Sequence, residues 1–496
     1  MPEDNPTSIA DRFRPLPVRV VPLLVFVAAV AAGSLAMLQY AGLDLTLSHY
    51  DARAHLVVSR RITDSLTPGW RQIGAVWLPL PHLINMPVVA WDWAYRTGYP
   101  SAMLSTLALA AGLAALAGYL LRRTGSAVAA LVAPTLVLAN PNILYLQSTP
   151  MTEPLLLGLS FVALWCVDRW IELGTPRARH VAGAALMALA LTRYEGWFVA
   201  SGLAGWAAVS RLRFGVGALG LVPYLVAAIV SFLLLSYGST GVWFVSSGFF
   251  EHDPSTYHQV WASARQVYLS TQALGGWVLM IGAATGLAVV LAQVLIGGPR
   301  AGLALALLAA AALPLYAFYQ GHPHRVRYMV PVVAAAGVLA ALAIAHLPRR
   351  LRAAGGVLMV VLVVRERPPL DPTAPMVTEA QWETPFRRGR EHITGYLAGA
   401  HDGTPILASM GSLGHYMQEA SRAGFGIADF VHEGNGDLWL AALAAPGRHV
   451  RWVLIEERAE GGDMLAARMR ETPEYLAGFT RVAEGGGLAL FRRSTP

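Results

Sequence analysis

Residues 21–65 read VPLLVFVAAVAAGSLAMLQYAGLDLTLSHYDARAHLVVSRRITDS. The first half is apolar from 21 to 42, and the second packs two Asp, two His and three Arg into 48–65. A membrane span takes about 20 apolar residues, so the first half is long enough to cross. It is too long for the hydrophobic region of a signal peptide and lacks a clear cleavage site, so it is expected to persist as a first span. The charged cluster then falls where the chain leaves the bilayer.

The rest of the chain has the same character. It has 496 residues, 55 % hydrophobic and 14 % charged, which is too apolar for an ordinary soluble protein and fits a multi-span membrane protein. The net charge is +7, and every basic residue is Arg, because the sequence contains no Lys. That removes Schiff-base and lysine-base chemistry. The basic charge belongs to cytoplasmic loops and phosphate contacts rather than to nucleic acid. The one cysteine, Cys166, sits inside an apolar run, where it reads as a packed core thiol without a disulfide partner.

Hydropathy gives about eleven candidate spans, near 18–40, 100–121, 126–146, 152–170, 180–194, 196–210, 215–237, 275–297, 301–319, 328–347 and 352–366. The apolar stretch 78–97 is interrupted by three prolines in PLPHLINMP and is expected to form a juxtamembrane helix on the membrane surface. Arg-bearing loops (DRFRPLPVR, LRRTG, DRWIELGTPRARH, SRLRFG, GGPR, LPRRLR) fall on alternate turns, which makes them cytoplasmic. The other side then receives 41–99, NPNILYLQSTPMTEP, the Tyr194 turn, 238–274, QGHPHRVR and the C-terminal region. HRVR breaks the charge bias there and so points to function rather than topology.

The composition changes near residue 367. RERPPLDPTAP reads as a linker, after which helix-like and strand-like segments alternate: FRRGREHITGYLAGA, TPILAS, GHYMQEAS, DLWLAALAA, RWVLIEE, DMLAARMRE and LALFRR. The expected architecture is a polytopic helical membrane domain over 1–366 and a soluble extracytoplasmic α/β domain over 367–496. GSLGHY lacks the glycine pattern of a phosphate loop or a dinucleotide fold, so no nucleotide site is assigned.

Candidate site residues gather at the outer span mouths. Asp51 and His55 lie four apart on a helix that also carries Arg53, and so share a face one turn apart. His82 follows in the juxtamembrane stretch and Glu153 opens a span in STPMTEP. Arg193, Tyr194 and Glu195 close another in ALTRYEGWF. His322, His324, Arg325, Arg327 and Tyr328 precede a third in QGHPHRVRYMVP. Taken singly, such residues are ordinary caps and aromatic-belt positions. Together they define one external cavity, because ionisable groups near a bilayer turn toward cavities and pair. Arg suits phosphate through its planar fork of donors, Asp suits a proton acceptor, and apolar and aromatic walls suit a lipid tail and a sugar face. No His, Cys, Asp or Glu spacing is diagnostic of a metal, so a divalent cation stays open.

The order of these features resembles the C-type membrane glycosyltransferases (GT-C), closest to the protein O-mannosyltransferase, lipid A aminoarabinose transferase and bacterial Rgt-like group. YDARAHLVVSRRI followed by GAVWLPLPHLI resembles the first external loop of that group, with an acidic motif and juxtamembrane helices. TPMTEPLL, LTRYEGW and RYMVPVVAAAG resemble later segments, and the likeness runs over about 15–350. Two departures stand out. Asp51 is followed by Ala52 where many members have paired acids, and WLPLPH replaces an acidic-Lys-Pro-Pro segment, leaving Arg325 or Arg327 in the lysine's place.

The resemblance implies an inverting transferase of the bacterial inner membrane. It would move a sugar from a polyprenyl-phosphate donor to a glycan, lipid or protein acceptor, with Asp51 as general base. A lipid or polysaccharide transporter and a non-catalytic assembly protein are the rival readings. Transporter sites lie near the bilayer midplane in repeated halves, whereas here the polar groups sit at span mouths and no repeat is visible.

Overall fold

The computed structural model describes residues 17–245, 252–459 and 461–494. Residues 11–16 of the basic N-terminal stretch and 246–251 of the 238–274 loop lie outside them. The membrane domain begins with α1 (Pro17–Gly42), the first-loop helices α2 (Tyr50–Arg60), α3 (Leu80–Val89) and α4 (Asp92–Thr97), and α5 (Tyr99–Thr124). It continues through α6 (Ala127–Leu138), α7 (Pro141–Leu146), α8 (Glu153–Leu173), α9 (Pro176–Ala190), α10 (Tyr194–Ser210) and α11 (Val222–Thr240). Next come α12 (Val260–Gly297), α13 (Ala312–Tyr319), α14 (Val330–His346) and α15 (Arg349–Glu366).

Among the described residues, seven helices are long and apolar enough to cross a membrane, against the eleven expected from hydropathy. The difference has local causes. Asn140 and Pro141 end α6 and restart the chain as α7, with the Asn140 side chain capping Asn142 and Ile143. Helices α9 and α10 have only 15 and 17 residues. Helix α15 carries Arg349, Arg350, Arg352, Arg365 and Glu366. Outward-facing apolar side chains, such as Leu35 at 69 % and Leu38 at 65 % exposure, ask for lipid rather than water.

Small residues set the helix spacing. A Cβ on Gly158 of α8 would overlap the Ala108 carbonyl oxygen of α5, and one on Gly112 would overlap Gly158 itself. Gly158→Ala is therefore expected to cost about 1–3 kcal/mol, because backbone cannot move aside as a side chain can. At Gly118 a Cβ would meet neighbours at 3.7 Å, so Gly118→Ala should stay within about 0.5 kcal/mol. Thermal unfolding in detergent distinguishes the two.

Helix α12 is broken at Gly276, whose φ of 79° only glycine adopts readily. The amides freed at Trp277 and Val278 donate to the Glu366 carboxylate at 2.7 and 2.9 Å, so the break is closed by the protein itself.

After α15 the chain does not run free. Helix α16 (Pro375–Glu379) packs back on the membrane domain, with Met376 and Val377 in its core. Then follow α17 (Arg387–Ala400), β1 (Ile406–Ala408), α18 (Met410–Ala420), β2 (Phe430–Val431), α19 (Asp437–Ala444), α20 (Pro446–His449), β3 (Trp452–Glu456), α21 (Met464–Glu471), β4 (Phe479–Gly485) and β5 (Leu488–Arg493). The sheet order is β2-β1-β3-β5-β4, parallel from β2 to β3 and antiparallel beyond. Strands β2 and β4 were absent from the sequence reading: one has two residues, and the other buries none of its residues fully. The first amides of α18, those of Met410 and of Gly411 in GSLGHY, donate to the Glu433 carboxylate at 2.6 and 3.5 Å.

Helix α2 joins the two parts. Leu56 and Val57, with Val89 and Tyr95 of the first loop, share one core with Ile393, Leu397, Tyr416 and Met417 of the C-terminal part. Its opposite side carries Asp51 and His55. Both polar and apolar faces of α2 are buried, so it is not a solvated interfacial helix.

Candidate active site

Five segments converge on Asp51. His49 caps α2 by accepting the Asp51 amide at 3.1 Å, which seats the carboxylate in the first turn. From the turn before α14, Arg327 forms an ion pair with Asp51, and its Nη1 lies 3.1 Å from His49 Nε2. Its Nε lies 3.7 Å from Glu153, the first residue of α8. Glu153 also faces Arg193 at 3.0 Å, and Arg193 donates to Glu195 at 2.9 Å and to Thr152 Oγ1 at 2.8 Å. Glu379, at the end of α16, faces His49 at 3.5 Å and accepts the Val326 amide at 3.1 Å. The result is a buried chain of alternating charge, Asp51–Arg327–Glu153–Arg193–Glu195, with a His49–Glu379 branch.

Burial gives these contacts their weight. Asp51, Arg327 and Glu379 are nearly enclosed, and Glu153 and Glu195 are fully so. Burial alone would raise the Asp51 carboxyl, but Arg327, supported by His49, His55 and Arg325, holds it down at about 2. Burial likewise raises the Glu379 carboxyl, and its bond with His49 and the charge of Arg327 outweigh that and lower it. Neither carboxylate oxygen of Glu153 has a hydrogen-bond partner despite its two guanidinium neighbours, and Arg327 Nε also lacks one. Arg193 is fully engaged, whereas Arg327 keeps donor capacity for a ligand.

The sequence-derived candidates divide accordingly. The structure brings together Asp51, His55, His82, Glu153, Arg193, Glu195 and Arg327, with the Arg327 guanidinium 5.8 Å from the Tyr328 ring. His55 Nδ1 lies 3.1 Å from His82 Nε2. Arg53 turns to the other side of α2, donating to Glu419 at 2.6 Å. Tyr194 points its hydroxyl at the Val76 carbonyl, 3.0 Å away, and its ring packs against Trp197 and Phe232. His322 contacts the Tyr328 hydroxyl at 3.4 Å, and His324 the Ser270 hydroxyl at 2.8 Å. Arg325 bonds the His324 carbonyl at 3.1 Å and lies 5.9 Å from the Trp382 ring. The partners named for these last four residues lie outside the charged chain.

Sequence reasoning passed over His49 and Glu379. The cap position immediately before the helix signalled His49. Nothing local signalled Glu379, which sits in what reads as the end of a linker. Among the described residues no three His, Cys, Asp or Glu side chains converge as metal ligands, since each acid of the cluster faces a guanidinium or an imidazole.

The cavities flank the cluster. An apolar crevice of about 320 Å³ runs between α3, α5 and the start of α8, lined by Pro81, Ile84, Leu107, Met151 and Thr152. Thr152, in its lining, accepts the hydrogen bond from Arg193. A second cavity, about 500 Å³, lies across α2 beside Arg53, Glu383, Arg387, Arg390 and Glu419. It faces the C-terminal part and is separated from Asp51 by the helix.

No family model and no curated protein matches the chain. Among solved structures, 19 chains are similar. One is ArnT from Cupriavidus metallidurans, solved bound to undecaprenyl phosphate, at 16 % identity over 95 % of this chain and 98 % of that one, with a TM-score of 0.55. Another is the Archaeoglobus fulgidus oligosaccharyltransferase, solved with zinc and sulfate, at 12 % identity over 91 % of this chain and 69 % of that one, with a TM-score of 0.48. The ArnT likeness extends over nearly the whole of both chains. The fold is the GT-C fold, and the chain is an integral membrane protein.

Proposed function

We propose that this protein is an inverting glycosyltransferase, moving a sugar from a polyprenyl-phosphate donor to an acceptor on the extracytoplasmic side of a bacterial inner membrane. The observation that carries the reading is the Asp51–Arg327 pair, buried beside the starts of α8 and α14, with an apolar crevice nearby whose lining residue Thr152 bonds Arg193. The crevice suits a prenyl chain. Arg327 suits the phosphate, since its fork has donor capacity left. The ArnT structure, with its bound undecaprenyl phosphate, supports this choice of lipid.

In this account the donor phosphate draws Arg327 from Asp51. The carboxylate, still buried, loses its main counter-charge, so its proton affinity rises. It then accepts the proton of an acceptor hydroxyl as that oxygen attacks the anomeric carbon. The sugar–phosphate bond breaks, its electron pair passes to the phosphate oxygen, and Arg327 stabilises that charge. One direct displacement inverts the anomeric centre. Arg193 acts through Glu153, holding it beside Arg327. The C-terminal α/β part, tied to α2 by a shared core, sits over the acceptor side.

The broken α12 is a feature a transporter would use. Its freed amides are capped by Glu366, which leaves no donors there for a cargo. The test is direct. Protein in nanodiscs is given a labelled polyprenyl-phosphate sugar and a cell-envelope acceptor extract. Label is expected in a new product with inverted anomeric configuration. Translocation of the lipid without transfer would overturn the reading.

A further inference from the structure

The two histidines beside Asp51 form one unit whose polarity is set by a carbonyl. His82 Nδ1 lies 3.1 Å from the Leu78 carbonyl oxygen. A carbonyl only accepts, so His82 Nδ1 carries the proton. In a neutral ring Nε2 is then bare. His55 Nδ1, 3.1 Å from that bare nitrogen, must therefore carry a proton as well. This leaves His55 Nε2 as an open lone pair.

Both rings are held neutral. Burial lowers the His82 imidazole to about 3, with Arg61 adding to the effect. Burial also lowers His55 well below its ordinary range, with His82 next, against the opposing charge of Asp51. The Trp77 ring packs beside His55 at 4.1 Å and stacks with His82 at 5.9 Å, which fixes both planes. His55 is 6 % exposed, and its Nε2 has no hydrogen-bond partner among the described residues. The ring is largely buried but its Nε2 atom is not fully enclosed, so the lone pair is open to an entering donor. Its helix already presents Asp51 one turn earlier, and Arg193 and Arg327 lie within electrostatic reach. The donor is then water or a group that displaces it on entering this site.

We propose that His55 Nε2 accepts a hydrogen bond from a substrate hydroxyl, and that His82 is a positioning residue that keeps His55 in the tautomer able to do so. This deepens the transferase reading and rests on it for the identity of the substrate. The hydroxyl belongs either to the transferred sugar or to the acceptor, and the test separates the two.

The tautomer is read first, without substrate, from nitrogen chemical shifts of 15N-histidine-labelled protein in nanodiscs. Wild type is expected to show His55 protonated at Nδ1 and bare at Nε2. His82→Phe is expected to lose that preference, and His82→Gln, which still offers an acceptor, to restore it. Protonation of His55 at Nε2 in wild type overturns the proposal whether or not any sugar is transferred.

Transfer kinetics follow. His55→Phe is expected to lose about 10–100-fold in rate, the worth of one well-placed hydrogen bond. His55→Gln, which accepts a hydrogen bond but cannot be protonated, is expected to stay within about tenfold of wild type. If the sugar supplies the hydroxyl, His55→Phe no longer discriminates against deoxy-sugar donors. If the acceptor does, that discrimination is unchanged and the acceptor KM rises. Wild-type rate and KM in a folded His55→Phe, or equal loss in Gln and Phe, would overturn it. Absence of transfer in wild type would instead sink the transferase reading and leave the tautomer result standing.

Discussion

Asp51→Asn is expected to reduce sugar transfer by about 10²–10⁴-fold while leaving a folded, lipid-binding protein. Asn keeps the size and one acceptor oxygen of the carboxylate, so the cap at His49 and the packing of α2 persist. What it loses is the ability to take a proton. Arg327 retains Glu153, so it is not stranded by the change. The same substitution has a signature in stability against pH. The folded carboxyl sits at about 2, below its unfolded value. Its contribution is thus fully present above about pH 4 and lost as pH falls through 2, and is on the order of 2 kcal/mol. The wild-type advantage over Asp51→Asn should be constant from neutral pH to about 4 and close below it. Thermal unfolding across that range checks it, and an advantage that grows on acidification would contradict the pairing.

Arg327→Ala is expected to be the most damaging substitution in the cluster. It leaves Asp51 and Glu153 buried without their shared guanidinium, and losing one partner of a buried pair costs about 3–5 kcal/mol. Part of that cost is met when the carboxylates take up protons. Arg327→Lys separates charge from geometry. A lysine keeps the charge facing Asp51, so most stability returns, but it lacks the fork that grips a phosphate. Affinity for undecaprenyl phosphate should remain about tenfold or more below wild type. The measurements are unfolding temperature and lipid affinity in parallel. Full recovery of both in Arg327→Lys would show that Arg327 is a structural counter-ion alone.

Much of the fold was written in local sequence. Apolar runs of spanning length located α1, α5, α8 and α14 within a few residues, because hydropathy alone decides whether such a segment enters lipid. It failed where length and polarity pull apart. Helices α9 and α10 are apolar but short, α15 is long but charged at both ends, and Asn140–Pro141 divides one apolar run into two helices. The site was legible as a set of residue types at span ends. Its pairing was not. Whether Arg53 or Arg327 faces Asp51 depends on how α2 rolls between two cores, and Leu56 and Val57 decide that by packing on α18. Glu379 lay hidden because a proline-rich stretch gives no sign that its end will fold back onto a span mouth. The His55–His82 bond joins residues 27 apart across a turn with no fixed period.

A structure of the protein with undecaprenyl phosphate bound tests the central claim most directly. The phosphate is expected against the Arg327 guanidinium with its chain in the crevice between α3, α5 and α8, and Asp51 released from its ion pair. A phosphate seated instead in the arginine-lined cavity beside Arg387 and Arg390, with Asp51 and Arg327 still paired, would contradict the account.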